Sequence, residues 1–257
     1  MKISRKQFLQ IAGGAALAGA GGRLAGALAG ATQDLPAASP ETLRPGRWAM
    51  VIDLGKCLEK EGCTKCMDAC REAHNVPQFK EEAHSINWIR KAPYGGAFPR
   101  EDDEYQTSMP NNVPVPILCN HCANPPCVRV CPTQATWRRE DGIVMMDWHR
   151  CIGCRYCMAA CPYGSRSFNW TDPRPYIPNL DLDFPTRTKG VVEKCNFCEE
   201  RIGTGKLPAC VQACQQKAMI FGDLYDPNSA ARELLRTRYT IRRKPDLGTN
   251  PQVYYIV

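Results

Sequence analysis

Sixteen cysteines, set in four groups of four with none left over, constrain this chain more than any other feature of its 257 residues. The groups are Cys57, Cys63, Cys66 and Cys70; Cys119, Cys122, Cys127 and Cys131; Cys151, Cys154, Cys157 and Cys161; and Cys195, Cys198, Cys210 and Cys214. The third is C-x2-C-x2-C-x3-C-P, ending at Cys161-Pro162. That spacing lets three thiolates converge from one tight turn on a cubane, while the fourth sits a helical turn away and reaches a neighbouring cluster. The second group, C-x2-C-x4-C-x3-C-P, keeps this logic with an insertion at Asn124-Pro125-Pro126. The first opens C-x5-C, and the fourth separates its pairs by eleven residues.

Two other chemistries use such cysteines. Zinc also takes four thiolates, but its sites present two separated pairs, whereas the third group packs three ligands with a distal fourth. A disulfide framework suits an even count, yet neighbouring C-x2-C spacings are poor for many simultaneous bridges. The spacing therefore points to iron–sulfur clusters, with all sixteen cysteines as iron ligands of four [4Fe–4S] centres.

The net charge of +7 overstates the basicity of the working protein. Residues 1–31 carry Lys2, Arg5, Lys6 and Arg23 and no acid, so the rest holds 29 basic residues against 26 acidic. Each oxidised [4Fe–4S] core with its four thiolates adds roughly −2, which would bring the loaded mature chain to roughly −5. The basic balance gives no argument for nucleic acid. There is no Ser/His/Asp constellation, Walker loop or dinucleotide fingerprint, so no substrate chemistry of its own is expected.

The N-terminus reads as an export signal over residues 1–31: a charged start, the weakly apolar Gly/Ala-rich IAGGAALAGAGG, and small-residue cleavage patterns at Ala27-Leu28-Ala29 and Ala29-Gly30-Ala31. The string Ser4-Arg5-Lys6-Gln7-Phe8-Leu9-Gln10 resembles the twin-arginine motif, with Lys6 in place of the second arginine. Export in the folded, cluster-loaded state would keep sixteen thiols from scrambling in an oxidising compartment. Residues 32–46 are a proline-bearing linker, and 47–257 the cluster domain.

Within that domain a weak repeat recurs. Val51-Ile52-Asp53 leads through Lys56 to Cys57, Met145-Met146-Asp147 through Arg150 to Cys151, and Val191-Val192-Glu193 through Lys194 to Cys195. Trp48 to Leu54 and the alternating Ile86-Asn87-Trp88-Ile89-Arg90 read as strands. Thr136–Arg139 and Gly142–Met146 read as a hairpin about Glu140-Asp141-Gly142, and Ala230–Arg236 as a helix. Residues 71–118 and 171–190 carry no cysteine. The second, with four prolines, reads as an ordered loop that covers a cluster or meets a partner. His121 reads as a bystander between two cysteines. His149 reads as packing or hydrogen-bonding near a cluster sulfur, with a surface histidine as the plainer alternative. The run Arg232, Arg236, Arg238, Arg242, Arg243 and Lys244 reads as a solvated face, with a docking patch as the sharper alternative.

Taken in order, the groups resemble the four-cluster ferredoxin-type subunits of polysulfide and dimethyl-sulfoxide reductases. More narrowly they resemble the exported DsrO type of the membrane complex associated with dissimilatory sulfite reductase. The narrower likeness rests on GCTKCMDACREAHNVP, LCNHCANPPCVRVCPTQATWRREDGIVMMD, HRCIGCRYCMAACPYGSRSFNW and the tail LGTNPQVYY. The resemblance implies an α+β fold of two ferredoxin-like lobes with inserted loops. It implies crossed clusters: Cys57, Cys63 and Cys66 with Cys214; Cys195, Cys198 and Cys210 with Cys70; Cys119, Cys122 and Cys127 with Cys161; Cys151, Cys154 and Cys157 with Cys131. It also implies electron relay between an integral membrane quinone-interacting subunit and a multihaem cytochrome c, on the outer face of the cytoplasmic membrane, in sulfur metabolism. The alternatives are the relay subunit of a molybdopterin-dependent reductase and a structural multi-zinc adaptor.

Overall fold

The computed structural model describes residues 46–99 and 111–257. The export signal and nearly all of the linker lie outside the described residues. The fold is α+β, with short strands and short helices alternating around the cysteine groups. The strands are β1 (Trp48–Asp53), β2 (Ile89–Pro93), β3 (Pro114–Leu118), β4 (Thr136–Arg138), β5 (Val144–Met146), β6 (Ser167–Phe168), β7 (Val192–Glu193), β8 (Met219–Asp223), β9 (Thr240–Ile241) and β10 (Val253–Ile256).

β1 lies inside a four-stranded sheet of order β8-β1-β10-β9. It pairs antiparallel with β8, Met50 opposite Phe221, and parallel with β10, Met50 opposite Val253. Its apolar run is buried on both faces, as an inner strand covered on either side requires. Met50 and Ile52 enter the main core, while Val51 packs against Ala231 of the helix Ala230–Thr237. That helix matches the sequence expectation, as do β1 and the β4–β5 hairpin, which is closed by Arg139 N–H to Ile143 O at 2.8 Å.

The strands bring successive cysteine groups together. β4 leaves the second group and pairs with β5, which leads into the third; β6 leaves the third and pairs with β7, which leads into the fourth. β8 leaves the fourth group and returns to β1, which leads into the first. Helices carry later cysteines of the groups: Cys66 and Cys70 on Lys65–Ala73, Cys127 on Pro126–Arg129, Cys157 on Tyr156–Ala159 and Cys210 on Ala209–Gln212. The first of these packs on the last, and the middle two on each other.

Three expectations shift. The strand expected over Ile86–Arg90 begins at Ile89, because Ile86 and Trp88 are drawn into the core and the Asn87 N–H bonds Ser167 Oγ instead of a ladder partner. The loop 171–190 contains a 3-10 turn at Arg174–Tyr176 and is clamped inward. Asn75 Nδ2 donates to the carbonyls of Asp181 and Phe184, and Arg187 donates to those of His74 and Asn75. The basic run is not one solvated face. Arg232, Arg236 and Arg238 are exposed, but Arg243 is buried and donates to Ala97 O, and Lys244 donates to Pro162 O.

Arg187 and Glu193 form an ion pair at 2.8 Å with both side chains fully buried. Glu193 also accepts from Trp88 Nε1 and Asn169 Nδ2, and Arg187 lies near the rings of Trp88, Trp148 and Phe184. Removing one partner strands a buried charge. Glu193→Gln is expected to lose about 3–5 kcal/mol of stability, read as a fall in thermal midpoint, and the double variant Arg187→Met/Glu193→Leu to recover most of it.

Candidate iron–sulfur centres

None of the sixteen cysteines is in a disulfide, and Cys154 alone among them is exposed. In all four groups a left-handed residue stands just before the second cysteine: Gly62 (φ 68°), His121 (φ 41°), Gly153 (φ 71°) and Phe197 (φ 60°). Such a residue curls the backbone so that successive N–H groups face the thiols, a cradle suited to anions. Three bonds from backbone N–H to sulfur are present: Phe197 N–H to Cys195 Sγ at 3.4 Å, Ala209 N–H to Cys198 Sγ at 3.4 Å and Ala218 N–H to Cys214 Sγ at 3.2 Å. Gly153 is required on two counts, since a Cβ there would meet the carbonyl oxygen of Gly190 as well as adopt a positive φ.

The thiols influence one another across groups. Burial pushes the Cys66 thiol up to about 12, with Cys57, Cys214 and Cys63 adding to the shift. Cys122 is likewise raised to about 12 by burial and then by Cys119, Cys127 and Cys161. Cys195 and Cys210 are raised further by burial, and both lie beside Cys70. The last cysteine of one group thus acts on thiols of another at three places: Cys214 on Cys66, Cys161 on Cys122, and Cys70 on Cys195 and Cys210, the last two also feeling Cys119 and Cys66 respectively. For the third group, Cys157 lies near Cys127 and Cys151. Cys131 is held by its own turn, where hydrogen bonds from Thr136, Thr133 and Ala135 outweigh burial and lower its pKa.

The spacing of these thiols bears on the metal. Among the described residues, the one group of three or more His, Cys, Asp or Glu donor atoms within 4.8 Å of one another is His74, Cys198 and Glu200. A tetrahedral zinc with Zn–S near 2.3 Å needs sulfurs about 3.8 Å apart. Among the described residues no three cysteine sulfurs lie within 4.8 Å of one another, so no cysteine set is drawn in as a single zinc ion would draw it. The geometry displays one incomplete single-ion donor set, and it is not a four-cysteine one.

Four further residues of the site, His74, Glu200, Lys194 and Arg166, carry no ligand spacing or motif that marks them in the sequence. His74 is buried against Trp88 and Phe184. Its Nδ1 lies 2.9 Å from the Cys70 carbonyl and its Nε2 2.9 Å from a Glu200 carboxylate oxygen. Both partners only accept, so both ring nitrogens carry protons. Burial opposes that charge, but bonds to Cys198, Cys70 and Glu200 outweigh it and hold the group well above its ordinary pKa.

Lys194 donates to the carbonyls of Val144 and Cys195 and is buried. Burial lowers its pKa, while Cys119, Cys195 and Cys127 act in the opposite sense. Arg166 donates to Thr136 Oγ1 at 2.9 Å and stands beside Cys127, Cys157 and Cys119, which more than offset its burial. Among the described residues neither cation has a carboxylate partner. Lys194 was legible only as the base of the repeat; its counterparts Lys56 and Arg150 are exposed.

The histidine readings divide. His121 is a packed neutral ring, stacked on Phe197 at 3.6 Å and accepting from Val144 N–H at 3.1 Å, with its pKa driven well below ordinary by burial and by Lys194 and Arg166. His149 is exposed, with its backbone N–H bonded to Asp147, so the surface reading replaces the one near a sulfur.

Residues 111–174 and 178–224 match the family model of the 4Fe-4S dicluster domain. The chain is 42% identical to the Hdr-like menaquinol oxidoreductase iron-sulfur subunit 1 of Archaeoglobus fulgidus, over 98% of this chain and 97% of that protein. It is 39% identical to the menaquinone reductase iron-sulfur cluster-binding subunit of Nitratidesulfovibrio vulgaris, over 82% and 88%. It is also 35% identical to the arsenate respiratory reductase iron-sulfur subunit ArrB of a Shewanella species, over 82% and 96%.

Two variants probe this site. His121→Ala is expected to keep the full metal complement while losing about 1–3 kcal/mol for the buried Val144 N–H left unpaired, measured as metal content and thermal midpoint. Gly153→Ala is expected to cost at least about 1–3 kcal/mol in backbone strain, read in the same melt. An unchanged midpoint would show that the turn relaxes.

Proposed function

The chain belongs to the family of iron–sulfur electron-transfer subunits of quinone and anion reductases, and from that membership we propose that its sixteen cysteines hold four [4Fe–4S] clusters as a redox wire. The observation that carries the proposal is a small cavity lined by Cys119, Cys122, Cys127 and Cys161 beside the buried Arg166, with Lys194 also buried and neither cation paired to a carboxylate among the described residues. Neutral thiols cannot balance those cations; thiolates bound to a multinuclear iron centre, each set carrying roughly −2, can.

The proposed ligand sets are Cys57, Cys63, Cys66 and Cys214; Cys195, Cys198, Cys210 and Cys70; Cys119, Cys122, Cys127 and Cys161; and Cys151, Cys154, Cys157 and Cys131. The packing of the Lys65–Ala73 and Ala209–Gln212 helices, and of Pro126–Arg129 and Tyr156–Ala159, supports two ferredoxin-like lobes. Bound clusters would supply one-electron chemistry without bond rearrangement. The chain's own groups position the thiols, donate N–H bonds to several sulfurs and bury eight of the sixteen, all of which tune potential. It is an electron-transfer subunit of an oxidoreductase complex and not its catalytic one.

Electrons would pass between an integral membrane quinone-interacting subunit and a multihaem cytochrome c, at the outer face of the cytoplasmic membrane after folded export, in dissimilatory sulfur metabolism of the DsrO type. The two menaquinol- and menaquinone-linked relatives support the quinone side. No helix among the described residues is long and apolar enough to cross a membrane, so an integral partner would supply that link. The arsenate respiratory reductase relative favours a second reading with the same wire, the relay subunit of a molybdopterin-dependent reductase; copurifying molybdenum would select it.

Iron and acid-labile sulfide, measured on anaerobically purified protein with EPR after dithionite reduction, test the proposal. About sixteen of each per chain, with spin-coupled S = 1/2 signals, are expected. Zinc without sulfide would replace the wire with a structural scaffold.

A further inference from the structure

Arg166 and Lys194 are buried without a carboxylate partner among the described residues, as is Arg243, whereas the buried Arg187 is matched by Glu193. Burying an unpaired charge is costly enough that a chain normally neutralises it or supplies a partner. An arginine cannot be neutralised by losing its proton in a protein. The ionisable groups that favour the charge of these cations are cysteines, and the two neighbourhoods overlap. Arg166 lines a small cavity together with Cys119, Cys122, Cys127 and Cys161, and Lys194 donates to the carbonyls of Cys195 and of Val144, which lines the same cavity. Cys127, Cys157 and Cys119 favour the charge of Arg166, and Cys119, Cys195 and Cys127 that of Lys194. Both therefore converge on the thiols of the second group.

The other sites are differently served. The set with Cys195, Cys198, Cys210 and Cys70 shares Lys194 and has the His74 imidazolium, but Glu200 cancels the latter at 2.9 Å. The set with Cys157 shares Arg166, and the arginines that adjoin it in the chain, Arg150 and Arg155, are exposed. The set with Cys57 has Lys91 nearby, a residue in contact with solvent, opposed by Asp53. A solvent-screened charge counts for much less than a buried one.

We propose that Arg166 and Lys194 act together as potential-setting residues that make the site of Cys119, Cys122, Cys127 and Cys161 the first of the four to accept an electron. This rests on the iron–sulfur reading above. Reduction of a [4Fe–4S] core from 2+ to 1+ adds one electron and no proton, so the site with its thiolates passes from about −2 to about −3. Two fixed cations at that site favour the more negative state. The same arrangement places Arg166 between this site and that of Cys157, and Lys194 between it and that of Cys195, so the favoured site has a neighbour on either side.

The test is an EPR-monitored redox titration of the whole protein, with iron and sulfide counted on the same samples. In Arg166→Gln the first-appearing signal is expected to move to lower potential by at least tenfold in the redox equilibrium, about 59 mV for one electron. Arg166→Lys is expected to restore most of it, and the surface-side variant Arg242→Gln to leave it in place. A fully loaded Arg166→Gln with an unmoved first signal overturns the proposal, leaving Arg166 a packing residue. If Arg166→Gln fails to load, Lys194→Gln against Lys194→Arg is read in the same way, with the same two outcomes. Loss of iron in both glutamine variants also overturns it, since the cations would then serve assembly and not potential. Absence of sulfide from the wild type would instead sink the iron–sulfur reading on which the inference stands.

Discussion

The mutual burial of thiols and cations governs the rest of this structure. Cys195 and Cys210 have thiols that burial makes very hard to ionise, and Lys194 and Arg166 carry charges that burial makes hard to keep. Each set answers the difficulty of the other once the sulfurs are ionised by bound iron. The left-handed turn at Phe197 serves the same end by turning its backbone N–H toward Cys195 Sγ. Without that compensation the core would hold several unpaired charged groups among its apolar side chains.

This constraint explains why the strands are so short. β4, β6 and β7 hold two or three residues each, too few to be stable alone. Their task is to set the register between one cysteine group and the next, and the chain closes on itself when β8 returns to β1. The buried Arg187–Glu193 pair then locks the proline-bearing loop 171–190 over His74 and Asn75, through carbonyl contacts that hold the C-terminal end of the Lys65–Ala73 helix. A covering role is thus visible for a segment that otherwise carries little regular structure.

What could be read from the sequence was what is local. The spacing of Cys151, Cys154, Cys157 and Cys161 names its chemistry, and the apolar runs before Cys57, Cys151 and Cys195 do end β1, β5 and β7. The Glu140-Asp141-Gly142 turn and the Ala230 helix followed from turn chemistry and periodicity. Pairings between distant segments were not legible. The tail Val253–Ile256 becomes the parallel neighbour of β1, at the opposite end of the cluster domain, and nothing in either run specifies that match. Burial of charge was hidden for the same reason: Lys56, Arg150 and Lys194 occupy equivalent places in the repeat, yet Lys194 alone is enclosed, because β5 and the second cysteine group close over it. Arg243 left the expected solvated face when it found Tyr163 and the Ala97 carbonyl.

The central claim is that four sets of cysteines, each drawing one member from another group, enclose four iron centres. Anomalous diffraction from crystals of the anaerobically purified protein, recorded on either side of the iron edge, tests it most directly. The account predicts four separate iron peaks, one inside each crossed set, including one bounded by Cys151, Cys154, Cys157 and Cys131. Peaks at the zinc edge, or iron bound by four cysteines of a single group, would contradict it.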